Sequence, residues 1–161
     1  MGPRLAGAAA AILGLIVDQA HKFWMLEVFR IEERGRVALT PFLDVLMVWN
    51  RGVSYGLFTQ GSDIGRLVLV LVGLLGATLF AAWMWRAPTR LAAVSLGLVS
   101  GGALSNVIDR VVHGAVADFF LFHVGAFEWY VFNLADVWIV AGVAGMALAW
   151  ALERPENATE R

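Results

Sequence analysis

Four stretches of the chain, residues 5–26, 64–85, 91–112 and 132–152, approach the roughly 20 apolar residues that an α-helix needs to cross a bilayer. Inside hydrocarbon every backbone N–H and C=O must be satisfied within the protein, which restricts spanning structures to helices and closed barrels. The pattern therefore predicts an all-α membrane protein with four transmembrane helices. Composition agrees: 60% of the 161 residues are hydrophobic and 16% charged, with a mean hydropathy of +0.72, unlike a soluble domain. A net charge of −1 provides no basic surface for nucleic acid, so no nucleic-acid partner is expected. The chain has no cysteine, which removes disulfides, thiol nucleophiles and Cys-ligated metals. His21, His113 and His123 match no metal-ligand spacing, and neither a metal nor a cofactor is expected.

The opening MGPRLAGAAAAILGLIV resembles a signal peptide, but its continuation DQAHKFWML lacks a cleavage site of small residues and is expected to remain as a helix. RAPTR, the loop 86–90 between the second and third spans, carries Arg86 and Arg90 without an acid. The positive-inside rule assigns it, and with it both termini, to the cytoplasm. Segment 27–63 is the part long enough to fold outside the bilayer. Its second half, VALTPFLDVLMVWNRGVSYGLF, is rich in β-formers and broken by Pro41 and the turn-like Asn50-Arg51-Gly52. A small strand-rich unit between helices 1 and 2 is expected there, resting on the membrane surface through Trp49, Tyr55 and Phe58. Gly97 with Gly101, and Ala141 with Gly145, have the spacing of close helix packing. The whole of 1–161 is read as one membrane domain with a disordered, solvated tail, 153–161.

Against this apolar background the acids stand out. Asp136 lies in the first turns of the fourth span, and Asp118 follows the third, so both belong to the face opposite RAPTR. An ionisable group at that depth is costly unless paired, hydrated or functional. Two carboxylates brought close tend to share one proton and can activate a water against an amide. The plainer alternative is that Asp136, in NLADVW, caps a helix and Asp118 is an interfacial loop residue. Asp109 and Arg110 are adjacent and point apart, so each needs another partner, whereas Asn106 and Arg110 share a helical face. Asp18 and Lys22, also four apart, read as an ion pair with Lys22 reaching toward the headgroups.

The motifs DQAHK from Asp18, NRGVSYGLF from Asn50, GGALSNVIDR from Gly101, VADF around Asp118 and FNLADV from Phe132 together resemble the lipoprotein signal peptidases (signal peptidase II) of bacteria. The resemblance implies an inner-membrane aspartic endopeptidase with four helices and a small periplasmic β-cradle. It would remove the signal peptide from diacylglyceryl-modified prolipoproteins, cleaving just before the lipidated cysteine. By motif, Asp118 and Asp136 are the implied catalytic pair. Asn50, Gly52, Gly102, Asn106, Asp109, Arg110, Phe132, Asn133, Ala135, Asp18 and Lys22 are the implied substrate-binding or supporting residues. Two departures from the family pattern are visible: Val53, Ser54 and Tyr55 follow Gly52, and Ser105 stands where Gly commonly precedes the Asn. The implied partners are the lipidated precursors and membrane lipids, the enzyme acting as a monomer with its site toward the periplasm. A proton-coupled transporter would need acids distributed across the membrane, but here Asp18, Asp109, Asp118 and Asp136 gather toward one face. A noncatalytic scaffold would use them only as caps and surface marks.

Overall fold

The structure, a computed structural model, describes residues 1–52 and 63–153. The expectations for Tyr55 and Phe58, and for the tail beyond Glu153, fall outside the described residues. Helix α1 (Pro3–Phe23) continues into a π-helical turn (Trp24–Val28), followed by a short helix α2 (Ile31–Arg34) and strands β1 (Val37–Thr40) and β2 (Leu43–Asn50). Helices α3 (Asp63–Met84) and α4 (Arg90–Val112) come next, then strands β3 (Val116–Val124) and β4 (Phe127–Phe132) and helix α5 (Leu134–Glu153).

Among the described residues α3, α4 and α5 are, by length and composition, apolar enough to cross a membrane, three helices where four were expected. Helix α1 is as long, at 21 residues, but Arg4, Asp18, Gln19 and Lys22 dilute its apolar character. It hides two of these charges inside the protein: Asp18 and Lys22 are both buried.

Helix α4 is the centre of the bundle and packs against α1, α3 and α5. Small residues permit this. The backbone of α1 at Gly7 and Ala11 lies directly against Gly97 and Gly101, where any side chain would collide with it, so the glycine pair of α4 marks a helix contact. On the opposite flank Gly142 and Gly145 of α5 lie against Ser95. Thr89 caps α4 by accepting from the Ala92 N–H at 3.2 Å.

The sheet has four antiparallel strands in the order β1-β2-β3-β4. This corrects the all-helical expectation with strands only between the first two long helices, because half the sheet comes from 116–132, between α4 and α5. The run VADFFLFHVGAFEWYVF is aromatic and β-branched and turns at Gly125, whose φ of 59° suits glycine. Phe132 accordingly ends β4 and does not open the last helix. One sheet face buries Val45, Ala117 and Phe119 against Met25 of the π-helical turn and Ile31 of α2. Arg36 ties the strands together, with Nε 2.5 Å from Asp44 of β2 and Nη1 2.6 Å from Glu128 of β4. The Arg36 hydrogen bond holds the Asp44 carboxyl below its ordinary range.

The bundle has two distinct ends. At one, Arg4 Nε donates to the Trp85 carbonyl at 2.9 Å and Thr89 donates to Glu153 at 3.5 Å, gathering the start of α1, the α3–α4 loop and the end of α5. The sheet closes the other end.

Candidate active site

The first turn of α5 organises the sheet end. Asn133 is its N-cap: its Oδ1 accepts from the Asp136 N–H at 3.0 Å, and Asp136 Oδ2 accepts in return from the Asn133 N–H at 3.2 Å. This reciprocal pair is a capping box, with the Asp136 carboxylate at the positive end of the helix dipole. A second free N–H of that turn, on Ala135, donates to Asp18 Oδ1 of α1 at 2.9 Å. Gly102 allows α4 to approach: a methyl group there would lie 2.6 Å from the Ala135 carbonyl oxygen and 2.9 Å from Ile139.

Asp118 arrives from β3. It is paired in register with Val48, while Asn50 pairs with Val116, so Asn50 and Asp118 are diagonal neighbours on one sheet face. A bulge in β2 between Val45 and Val48 resets the alternation just before this pair, a common device beside functional sites. Asn50 Nδ2 donates to Asp118 Oδ2 at 3.0 Å and Asn133 Nδ2 to Asp118 Oδ1 at 2.6 Å. Asn106 Nδ2 donates to Asp136 Oδ1 at 3.0 Å, while its own Oδ1 accepts from Asn133 Nδ2 at 3.1 Å and Lys22 Nζ at 3.2 Å. Each of the four carboxylate oxygens thus holds one N–H donor, leaving lone pairs for a water or a substrate. Asn133 bonds to both aspartates. Burial, reinforced by the Asp136 charge and opposed by the Asn50 and Asn133 donors, pushes the Asp118 carboxyl up to about 6.

Behind the pair lies a buried charge network. Lys22 Nζ sits 2.7 Å from Asp18 and 2.8 Å from Asp109, one ammonium between two carboxylates. The excess negative charge is met by neutral donors: Ser105 Oγ to Asp18 at 2.6 Å, Gln19 to Asp109 at 2.8 Å and the Ala117 N–H to Asp109 at 3.1 Å. Arg110 Nη1 donates to the Asn106 carbonyl at 3.1 Å, and its Nε is buried without a hydrogen-bond partner.

The structure thereby joins Asp18, Lys22, Asn50, Asn106, Asp109, Asp118, Asn133, Ala135 and Asp136 in one hydrogen-bonded cluster. Gly102 packs against it and Arg110 flanks it through Asn106. Gly52 donates its N–H to Asn50 Oδ1 at 3.2 Å, closing a turn that fixes the Asn50 amide. Phe132 packs against Phe120, with ring centroids 5.8 Å apart and the rings tilted. Lys22 is almost fully buried between its two acids and does not reach toward headgroups, because two carboxylates outweigh the pull of the interface. Gln19 and Ser105 complete this network; the four-residue spacing of Ser105 and Asp109 on one face of α4 is the sequence signal for it.

Two cavities open on the pair. One, of about 390 Å³, is lined by Val48, Trp49, Asn50, Arg51, Gly52, Asp118, Tyr130 and Val131. The other, of about 490 Å³ and largely apolar, runs along α5 from Trp129, Tyr130, Phe132 and Asp136 to Val137, Val140, Ala141 and Ala144. Tyr130 borders both, and each holds one aspartate.

A helical bundle of membrane-crossing length, with a small sheet closing over two carboxylates and cavities leading to them, defines an integral-membrane enzyme. The family model described as signal peptidase (SPase) II matches residues 10–152, and the chain belongs to that family of membrane peptidases. Similar proteins include the lipoprotein signal peptidase of Beijerinckia indica subsp. indica, 53% identical over 148 residues covering 92% of this chain and 89% of that one. That of Nitrobacter hamburgensis is 48% identical over 159 residues, covering 96% and 97%. In fold the chain is similar to a bacterial membrane enzyme solved by the in meso method at 1.9 Å, with a TM-score of 0.77 and 22% identity, covering 92% of this chain and 94% of that one. A second such structure, at 2.3 Å, gives a TM-score of 0.72 and 23% identity, covering 96% and 93%.

Proposed function

We propose that the chain is an aspartic endopeptidase that removes the signal peptide from diacylglyceryl-modified prolipoproteins, cutting just before the lipidated cysteine. One observation carries the reading: Asn133 bonds to both Asp118 and Asp136, drawing two carboxylates from different elements into one unit at the edge of the membrane helices. A proton-relay transporter has no such support, because the buried acids stay at the sheet end of the bundle.

The water lies between the two carboxyls. The two carboxyls act as a coupled pair that shares one proton; burial raises Asp118 to about 6, and the cycle starts from the form with that proton on Asp118. Asp136 takes a proton from the water as its oxygen attacks the scissile carbonyl carbon, and Asp118 gives its proton to the carbonyl oxygen. The resulting gem-diol collapses as Asp136 returns its proton to the amide nitrogen and Asp118 recovers one from a diol hydroxyl. The C–N bond breaks and the pair regains its single proton. The amide donors on all four carboxylate oxygens hold the acids in place without neutralising them.

The apolar cavity along α5 suits acyl chains or the signal segment, and lipid burial favours binding by up to about 0.8 kcal/mol per CH₂. The more polar cavity, on the sheet side, suits the mature peptide. In this reading α1 crosses the bacterial inner membrane as a fourth helix with its charges turned inward. Both termini and the arginine-bearing loop are cytoplasmic, and the sheet meets the periplasmic leaflet through exposed Leu39, Phe42, Val124 and Phe127. The protein acts as a monomer.

The test is cleavage of a lipidated precursor by purified Asp118→Asn, Asp136→Asn and double variants, with folding followed by thermal melts. Each single change should lower activity by roughly 10³ or more, and the double change should add little, because residues acting as a unit lose their effect together. A well-folded Asp136→Asn protein that still cleaves would reduce Asp136 to a capping residue.

A further inference from the structure

Arg51 differs from the other cations at the sheet end. Among the described residues Lys22, Arg30, Arg36 and Arg66 sit on carboxylates. Arg34 donates to the Phe29 carbonyl and covers its ring, and Arg110 donates to a carbonyl. Arg51 is exposed and has no such partner among the described residues, yet it lines the cavity that contains Asp118. The Asn50–Gly52 turn holds its backbone against the site.

The two cavities differ in what they can accept. The one that follows α5 is walled by Val, Ala and aromatic side chains and suits the apolar part of a precursor. The one beside β2 carries Asn50, Arg51 and Asp118 and is lined by strand and turn residues. With the scissile bond between the two aspartates, the chain leaving on the mature side passes Arg51. The other cations facing the aspartates, Lys22 and Arg110, are held behind the pair by Asp18, Asp109 and the Asn106 carbonyl, whereas Arg51 is exposed in the cavity itself.

We infer that Arg51 is a specificity-determining residue that favours precursors with a carboxylate in the first few residues after the lipidated cysteine. The inference rests on the proposed function and adds the substrate's charge to it. An exposed pair of this kind corresponds to a preference of about three- to fivefold at low salt, fading as salt screens it.

The experiment uses the full chain in nonionic detergent and diacylglyceryl peptides that carry Asp, Asn or Lys at each of the three positions after the cysteine. The readout is the ratio of kcat/KM for the Asp peptide to that for the Lys peptide. The wild type should give a ratio above one at one or more positions, Arg51→Gln a ratio near or below one, and Arg51→Glu a ratio well below one. A wild-type ratio of one at every position, or a ratio unchanged in both variants, overturns the inference while leaving the peptidase reading intact. Failure of folded wild type to cleave any of the peptides overturns the proposed function itself. The series is repeated with added phosphatidylglycerol. If Arg51→Gln then changes only the overall rate, by the same factor for all peptides, the ligand of Arg51 is a lipid phosphate and the inference is wrong.

Discussion

Replacing Asp118 by Asn should make the protein more stable at neutral pH relative to wild type while abolishing cleavage, and the gain should depend on pH in a defined direction. Folding moves the Asp118 carboxyl from 3.8 to about 6, which at 1.36 kcal/mol per pH unit amounts to about 3 kcal/mol against the ionised form. Allowing for partial hydration, about 2 to 3 kcal/mol remains. Below about pH 4 the group is protonated in folded and unfolded chains alike and contributes nothing. Between about pH 4 and 6 the folded chain keeps a proton that the unfolded chain releases, so the contribution of Asp118 to stability falls as pH rises and stays low above pH 6. Asn has no such ionisation. Its amide must, however, turn one N–H toward Asn50 or Asn133, at a cost of about 1 kcal/mol at every pH. The decisive quantity is therefore the change with pH in the stability gap between variant and wild type. Melts in detergent at pH 4 and pH 7.5 should show it moving by about 2 to 3 kcal/mol in favour of the variant, with the acids that do not face Asp118 cancelling between the two proteins. A gap constant to within about 0.5 kcal/mol would refute the raised carboxyl.

Two other changes test the scaffold. Gly102→Ala places a methyl 2.6 Å from the Ala135 carbonyl, so α4 and α5 must separate; a loss of about 1 to 3 kcal/mol and at least a tenfold fall in kcat are expected from melts and cleavage assays. Lys22→Met leaves Asp18 and Asp109 buried without their common cation, which should cost about 3 to 5 kcal/mol and show as a low melting temperature and poor recovery of folded protein.

The long helices were legible because length and hydropathy alone decide them. The sheet was half legible. Its first hairpin is announced by Pro41 and alternating β-formers, but in 116–132 the aromatics Trp129 and Tyr130 have the composition of an interfacial belt as readily as of a strand. What distinguishes the two is the ladder: β4, which carries both, pairs with β3, and β3 is held in the sheet by β2, some seventy residues earlier. At the site, Asp18 with Lys22 and Asn106 with Arg110 were readable because helical neighbours four apart follow from local geometry. The second partner of Lys22, Asp109, is not local, and neither are the bonds from Asp18 to Ser105 and Ala135. Cap and reactive group are compatible readings of Asp136: its carboxylate completes a capping box and joins the same hydrogen-bonded cluster as Asp118.

The shared sheet and the cross-helix bond from Asp18 to Ala135 bear on how the chain is made. Synthesis delivers it N-terminus first, so α1, β2 and α3 emerge well before β3 and α5. Through that interval Asp18 and Lys22, one helical turn apart, neutralise each other within a single helix before Asp109 exists. Strand β2 has no β3 to pair with, Asn50 has no carboxylate, and Asp18 lacks the N–H of Ala135. Only when the start of α5 docks on α4 and α1 do Asp118 and Asp136 meet. The nascent chain therefore carries no assembled carboxylate pair while it is being inserted, and assembly of the site coincides with completion of the membrane bundle.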